Sequence, residues 1–229
     1  MKITNIKTLD EVNSTNTYVK DERNTLDVGT LVRARVQIAG KGRRERQWIT
    51  EGDKNLTFSF YTQSDSLAFY KLFMATALSI VKTLKRYKIE ASIKLPNDIY
   101  IQDKKVAGIL IETIQDEEVC HYVTGVGINV NERKPELYDP KATSLHKVLN
   151  KSIDIDAFLN EFIETFNKTH ATPHLFDIFR DYVMTSTHHI QYDGKTYKLA
   201  DFNQAFQCKI IRDEESQTID CHLLTFFVE

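Results

Sequence analysis

A short basic loop between two strand-like segments is the feature that most constrains the fold. Residues 30–37 and 56–61 alternate in the manner of strands, and residues 40–48 between them hold two glycines and four cationic side chains. The loop lacks the third glycine of the dinucleotide-binding fingerprint, and a strand pattern rather than a helix follows it. A doubly wound nucleotide-binding fold is therefore a poor fit, and no Walker A sequence occurs elsewhere in the chain.

The composition of this loop indicates that it binds an anionic ligand. Glycine lets the backbone approach a ligand closely and turns N–H groups toward it. Arginine and lysine match the oxygens of phosphates and carboxylates, and Trp48, the only tryptophan, is placed to cover a ring. The formal net charge of −2 makes the basic loop a local feature and argues against a general nucleic-acid coat. The loop therefore predicts a site for a phosphorylated or carboxylated ligand.

Four further segments accompany the loop. They are Asn-Ser-Thr-Asn at residues 13–16, Lys-Leu-Pro-Asn-Asp at 94–98, Lys-Val-Ala-Gly-Ile-Leu-Ile-Glu at 105–112 and Gly-Val-Gly-Ile-Asn at 125–129. With the basic loop, they resemble the motifs of the biotin–protein ligases in order and in spacing, over residues 10–150 of the chain. Gln37 falls where the family has its biotin-pocket glutamine, and residues 142–145 resemble another family segment.

The resemblance implies an α+β fold, with a mixed, largely antiparallel sheet flanked by helices, as in the class II synthetase-like biotin and lipoate ligases. It implies a catalytic domain that binds biotin and ATP in residues 1–184, and a small C-terminal SH3-like β domain in residues 185–229. The residues support this division, because strand patterns without a helix follow residue 185. Before it lies a long helix pattern with Ser66 as its cap and an apolar stripe at Leu67, Tyr70, Met74, Leu78, Val81 and Leu84.

The implied activity is that of an ATP-dependent biotin–protein ligase. Such an enzyme activates biotin with ATP to biotinyl-5′-AMP and transfers biotin to a lysine of a biotin carboxyl carrier protein. ATP and biotin are then substrates, and Mg²⁺ accompanies the nucleotide. Catalysis would depend on positioning and on electrostatic stabilisation of phosphoryl oxygens, so no Ser-His-Asp or Cys-His nucleophile is needed.

The resemblance also implies roles for individual residues. The implied catalytic residues are Arg43, Asp98 and Lys105. Biotin contacts are implied for Ser14, Thr15, Asn16, Gln37, Lys41, Gly42, Arg43, Lys105, Gly108, Gly125 and Gly127. ATP contacts are implied for Arg43, Arg44, Arg46, Trp48, Asn97, Lys105 and Asn129, and weak Mg²⁺ binding for Asn97 and Asp98. Uncharged hydrogen-bonding side chains suit the ureido ring of biotin, which carries both N–H donors and a carbonyl acceptor.

Several of these residues have a purely structural alternative. Ser14 is also a candidate helix N-cap, and Asn97 with Asp98 could form an ordinary Asx turn. Trp48 could simply pack. Lys105 begins an apolar strand, so we expect its ammonium to meet a ligand oxygen, with the preceding Lys104 on the opposite, solvated face.

The chain also departs from the family pattern, which leaves two other functions open. Lys41 replaces an arginine, Glu45 a glycine and Leu95 a tryptophan, and the tail resembles the family only faintly. One alternative is a lipoate or octanoate ligase of the related fold, which would need an apolar tunnel. The other is a degenerate module that binds biotin without transferring it.

Partners and compartment follow from simpler observations. The carrier domain is the expected protein partner, in a chain that is a monomer or a homodimer. Only 13 residues precede Ser14, so we expect no DNA-binding arm, and no apolar run is long enough to cross a membrane. Three cysteines without a known pairing pattern suit a reducing cytoplasm. Residues 130–140, rich in Lys, Glu and Pro, predict a surface loop.

Overall fold

A seven-stranded mixed sheet forms the body of the protein. The computed structural model describes residues 1–43, 46–50, 52–64, 68–116, 119–184, 188–223 and 225–228. The strands are β1 (Asn5–Val12), β2 (Thr30–Gln37), β3 (Leu56–Ser64), β4 (Ser92–Lys94), β5 (Asp98–Ile101), β6 (Lys104–Asp116) and β7 (Val119–Ile128). Their order is β1-β2-β3-β7-β6-β5-β4, and only β1 and β2 run parallel. The predicted mixed, largely antiparallel sheet is confirmed.

Five α-helices accompany the sheet in the described residues. They are α1 (Thr15–Asp21), α2 (Ala68–Arg86), α3 (Leu145–Leu149), α4 (Ile155–Thr169) and α5 (Leu175–Arg180). Short 3-10 turns occur at Pro135–Leu137 and Cys221–Leu223. None of the helices in the described part of the chain is long and apolar enough to cross a membrane. The helical stripe is buried at Met74, Leu78, Val81 and Leu84, whereas Leu67 and the predicted cap Ser66 lie outside the described residues.

Strand β3 shows how the sequence divides the two faces of the sheet. Phe58 and Phe60 face the helical layer, where their rings lie 5.0 Å from those of Phe162 and Phe166 of α4. The alternate position Tyr61 packs on the other face with Val19 of α1 and its neighbours. Period-2 alternation in β3 therefore builds the main core on one side and leaves the opposite side to α1 and the polar residues of the site.

A second, smaller sheet follows the body. Its strands β8 (His188–Tyr192), β9 (Lys195–Phe202), β10 (Gln207–Arg212), β11 (Glu215–Asp220) and β12 (Thr225–Val228) are antiparallel, in the order β11-β10-β9-β8-β12. The expected small C-terminal β unit is confirmed, while the exact division at residue 185 stays a prediction. Phe202 and Phe206 pack against Phe179 of α5, and Phe206 also contacts Phe73 of α2.

One local expectation was wrong. Cys208 and Cys221 form a disulfide, although their spacing suggested no pair; the sheet brings together residues 13 apart in sequence. Residues 130–140 contain no strand or α-helix and are mostly exposed or half-buried, as a surface loop would be, although Val130, Glu132 and Pro135 are buried. The disulfide is a contact that local periodicity does not encode.

Candidate active site

A cavity of about 760 Å³ opens on the sheet face that α1 and the basic loop cover. Its wall includes nearly all the residues that the sequence singled out. They are Ser14, Thr15, Asn16, Gln37, Lys41, Gly42, Arg43, Arg46, Trp48, Asn97, Asp98, Lys105, Gly108, Gly125, Gly127 and Asn129. Arg44 and the departure at Glu45 lie outside the described residues. Segments distant in sequence therefore converge on one site, while the role of each residue stays a prediction.

One end of the cavity is a network of uncharged hydrogen-bonding side chains. The Thr15 backbone N–H and hydroxyl donate to Gln37 Oε1 at 2.7 and 3.0 Å. The Ser59 hydroxyl lies 2.7 Å from Thr15 Oγ1 and 2.5 Å from Asn16 Oδ1. Because Gln37 Oε1 already accepts two bonds, the group that Gln37 offers to a ligand is its Nε2 donor.

Ser14 occupies the N-cap position of α1 without acting as a cap. Its backbone is extended, as an N-cap requires, but its side chain makes no capping hydrogen bond. The residue is only 2% exposed and lies in the cavity wall. The capping alternative for the hydroxyl is therefore wrong, and the ligand contact of Ser14 stays a prediction.

The two described ends of the basic loop, residues 40–43 and 46–48, pair in antiparallel fashion. The Trp48 N–H donates to the Gly40 carbonyl at 2.8 Å, and the Gly42 N–H donates to the Arg46 carbonyl at 2.7 Å. Arg43 donates from Nη1 to Asn97 Oδ1 and from Nη2 to the His222 carbonyl, both at 3.2 Å. Arg43 thus joins the basic loop to the motif at residues 94–98 and to the C-terminal β unit.

Lys105 and Asp98 form an ion pair in the cavity wall. Lys105 Nζ lies 2.8 Å from Asp98 Oδ1, as an ion pair without hydrogen-bond geometry, and each side chain is 21% exposed. The ammonium also lies 5.8 Å from the centroid of the Trp48 ring. Lys104 is exposed, and only Lys105 lines the cavity, so the predicted facing of the two lysines is confirmed.

Two glycines of strand β7 make room for side chains that line the cavity. A Cβ atom on Gly125 would lie 2.0 Å from Asn16 Oδ1, and one on Gly127 would lie 2.3 Å from the Trp48 ring. The indole therefore lies flat on the sheet, and its N–H has no acceptor among the described residues. The close approach that these glycines permit is, in this structure, an approach of the protein's own side chains.

Comparison with known proteins identifies the family. Residues 9–129 match the sequence model of the Biotin/lipoate A/B protein ligase family. The chain belongs to this family. It is 34% identical over 136 residues to the bifunctional ligase/repressor BirA of Salmonella typhimurium, covering 58% of the chain and 42% of that protein. It is 30% identical over 149 residues to the biotin–[acetyl-CoA-carboxylase] ligase of Paracoccus denitrificans, covering 61% of the chain and 62% of that ligase.

The solved structures agree with this ligase family. A biotin protein ligase from Aquifex aeolicus in complex with biotin and ATP superimposes with a TM-score of 0.80 and 25% identity, over 99% of this chain and 100% of that one. The chain nevertheless spans less than half the length of the BirA relative that it matches. Similarity alone therefore does not establish that this chain has the full activity of that relative.

Lys94 and Tyr100 are cavity residues to which sequence reasoning gave no role. Lys94 is 8% exposed, donates to the Tyr100 hydroxyl at 3.2 Å and lies 4.8 Å from the centroid of its ring. Burial lowers the pKa of the Lys94 ammonium, against the opposing charge of Asp98. Burial also raises the pKa of the Tyr100 hydroxyl well above its usual range, and Asp98 adds to this shift. The signal was available, since Lys94 opens the ligase-family motif at residues 94–98.

The segment after β7 is the other part of the wall that the sequence missed. Pro135, Tyr138, Asp139 and Lys141 line the cavity. The Lys105 N–H donates to the Lys141 carbonyl at 2.7 Å, which ties this segment to the start of β6. Leu95, where the ligase family has tryptophan, is 2% exposed and also lines the cavity, so the substitution reduces ring area in the wall itself.

The described residues offer few metal ligands. No group of three or more His, Cys, Asp or Glu in the described part of the chain could hold a metal ion. Asn97 Oδ1 and the Asp98 carboxylate both lie in the cavity, next to Arg43 and Lys105 respectively. Such a set fits a Mg²⁺ ion that one or two protein oxygens and the phosphates of a nucleotide hold together.

Proposed function

We propose that the protein is a biotin–protein ligase, which forms biotinyl-5′-AMP from biotin and ATP and transfers biotin to a lysine of a biotin carboxyl carrier protein. One observation carries the proposal: an uncharged hydrogen-bonding pocket and a cationic clamp share one cavity. Thr15 and Gln37 lie in the first, and Arg43 and Lys105 in the second. Biotin has the same division, with a ureido ring at one end and a carboxylate at the other.

In the first step, a carboxylate oxygen of biotin attacks the α-phosphorus of ATP. The bond from that phosphorus to the bridging oxygen breaks, and pyrophosphate leaves with the electron pair. Negative charge develops on phosphoryl oxygens, where the Lys105 ammonium and the Arg43 guanidinium stabilise it. Arg46 is exposed at the cavity wall and is suited to the departing pyrophosphate. Mg²⁺ held by Asp98, Asn97 and the phosphates would supply further charge neutralisation.

In the second step, the neutral amine of the carrier lysine attacks the acyl carbon of the mixed anhydride. AMP leaves, and the new amide loses a proton. Asp98 is suited to orient that amine, because its carboxylate lies in the cavity beside Lys105. Asn129 donates its amide N–H to the Thr143 carbonyl at 3.0 Å, which leaves its Oδ1 for an amino group such as that of adenine.

A lipoate or octanoate ligase is the second candidate, and one observation favours it. A cavity of about 310 Å³ adjoins the first and shares Arg43 and Asn97 with it. Its wall is mainly apolar, with rings from Phe69, Phe73 and Phe206. An acyl chain could lie there with its carboxylate at Arg43, but this candidate gives no use to the polar network around Thr15 and Gln37.

The decisive experiment combines the purified protein with ATP, Mg²⁺ and a carrier domain, and offers biotin, lipoate or octanoate in parallel. Mass spectrometry of the carrier should show one added biotinyl group and no lipoyl or octanoyl group. Acyl transfer without biotin transfer would establish the second candidate. Biotin binding without pyrophosphate release or transfer would instead identify a degenerate binding module. Cytoplasmic location and a monomeric or homodimeric state belong to the same proposal, although the disulfide between Cys208 and Cys221 removes the cysteine argument for a reducing compartment.

A further inference from the structure

A carboxylate outside the cavity contacts a side chain inside it. Asn16 is 4% exposed and lies in the cavity wall. Its Nδ2 donates to Glu112 Oε2 at 2.7 Å and to the Leu110 carbonyl at 3.3 Å. Its Oδ1 accepts from the Ser59 hydroxyl at 2.5 Å. Glu112 is not among the described residues that line the cavity, so its effect on a ligand would pass through Asn16.

These partners permit only one orientation of the Asn16 amide. A flip by half a turn would place Oδ1 against the two acceptors, the ionised carboxylate of Glu112 and the carbonyl of Leu110. The Ser59 hydroxyl can donate or accept, so by itself it would tolerate either orientation. Glu112 is the side chain that decides between them.

Lys20 keeps this carboxylate charged and in place. Lys20 Nζ lies 2.7 Å from Glu112 Oε1, and the two side chains are 25% and 27% exposed. Burial alone would raise the pKa of Glu112, but the hydrogen bonds from Lys20 and Asn16 outweigh it and hold the pKa below its usual value. Glu112 is therefore ionised at neutral pH and acts only as an acceptor.

The orientation of Asn16 sets the donors and acceptors of the polar pocket. With Oδ1 toward Ser59, Asn16 adds an acceptor to the pocket, and Gln37, whose Oε1 is occupied by the two Thr15 donors, adds a donor at Nε2. An acceptor beside a donor complements the N–H and carbonyl of a cyclic urea. A flipped Asn16 would present N–H groups at both places and would repel the ring N–H.

We propose that Glu112, held by Lys20, is a positioning residue that orients Asn16 for the ureido ring of the substrate. The proposal rests on the proposed function, because the ring in question is that of biotin. It assigns a binding role to a side chain that does not touch the ligand.

Biotin affinity, measured by calorimetry without ATP, tests the proposal. Glu112→Met removes the acceptor at similar volume and should raise the Kd for biotin about tenfold, since a hydrogen bond to a charged group is lost. The double variant Glu112→Gln with Lys20→Met keeps an acceptor for Asn16, and the Lys20 change removes the donor that would compete for the new amide oxygen. Its Kd for biotin should stay within about threefold of the wild-type value. The KM for ATP should change less than about twofold in both. An unchanged Kd in Glu112→Met, or an equal loss in the Gln variant, would overturn the proposal.

Two further measurements keep the test decisive. Ser59→Ala removes the hydroxyl on the other side of Asn16 but leaves Glu112 to orient the amide, so it should weaken biotin binding less than Glu112→Met does; a larger loss in Ser59→Ala would overturn the proposal. The side-chain NH₂ signals of Asn16, observed by NMR without ligand, should be shifted and protected in wild type and in the Gln variant but not in Glu112→Met. Identical NH₂ signals in all three proteins would refute the inference, whether or not the wild type binds biotin. A wild type that binds no biotin would refute only the proposed function.

Discussion

Replacement of Lys105 by glutamine should slow adenylate formation strongly, because it removes one charge from the clamp without changing the cavity shape much. The ammonium is only about one-fifth exposed and lies against Asp98 and the Trp48 ring, so water screens it poorly. Loss of one charge-assisted contact in such a site typically costs about 2–4 kcal/mol, which corresponds to about a 10²–10³-fold fall in rate.

Strand geometry provides a matched control for this prediction. Lys104 is the neighbouring residue in β6 and pairs with Ile101, but its side chain is exposed. Lys104→Gln makes the same chemical change at a position outside the cavity wall and should alter the rate less than about twofold.

Single-turnover rates of biotinyl-5′-AMP formation decide the matter, since they exclude product release. Biotin binding without ATP should fall much less than the rate in Lys105→Gln, unless the ammonium also holds the biotin carboxylate. Equal losses in the two variants, or a larger loss at Lys104, would refute the assignment of Lys105. Unfolding temperatures of both variants should lie well above the assay temperature, so that a loss of rate reports the site and not unfolding.

Three other perturbations have defined outcomes. Arg43→Gly should still form biotinyl-5′-AMP but release it, since the guanidinium bridge to Asn97 and His222 is lost. Mass spectrometry of biotin on bystander lysines measures the release, and retention as tight as in wild type would contradict the role of Arg43 in holding the adenylate. Gly127→Ala should displace Trp48, which lies within 2.3 Å of the added Cβ, and shift the emission of this sole tryptophan, whereas Gly108→Ala, at 3.4 Å, should shift it less. Stability should fall between about pH 6.5 and pH 4, because burial, with the N-terminal and Lys71 charges, lowers the pKa of His170 from 6.5 to about 4 and the unfolded chain binds more protons in that window. After allowance for the partial exposure of His170, the free energy of unfolding should fall by about 1–2 kcal/mol in this window. Denaturant unfolding should show a flatter dependence of this free energy on pH in His170→Gln than in wild type. Parallel pH profiles for the two proteins would exclude His170 as the cause.

Local patterns were enough to predict most elements of the fold. Strand β2 was expected at residues 30–37 and is Thr30–Gln37, because eight residues of clear alternation leave little ambiguity. Helix α3 was missed, since Leu145–Leu149 is too short to show a helical period. Strand β6 reaches from Lys104 to Asp116, beyond the apolar run that marks it in sequence, because it pairs with β5 at its start and with β7 up to its end.

The residues of the site were easier to predict than their partners. The motifs placed Asn16, Lys105 and Asp98 in one cavity, since each motif carries its own polar side chains. The bond from Asn16 to Glu112 spans 96 residues and depends on where α1 lies on the sheet, which no local pattern reveals. Lys94 was overlooked for a related reason: its burial against Tyr100 exists only once β4 and β5 pair.

The alternation of side chains along β3 explains how a polar pocket can lie beside a well-packed core. Ser59 is 0% exposed, and an unpaired hydroxyl at this depth would cost about 1–3 kcal/mol, yet its hydrogen bond to Asn16 Oδ1 satisfies it. Its neighbours Phe58 and Phe60 point the other way, into the layer formed by α2 and α4. The strand period of two therefore keeps the hydrogen-bond network and the aromatic core on opposite faces. Changes to the network alter what the pocket binds without opening a void in the core, so ligand affinity measures the role of Asn16 and Glu112 directly, whereas a loss of stability would report the unpaired Ser59 hydroxyl.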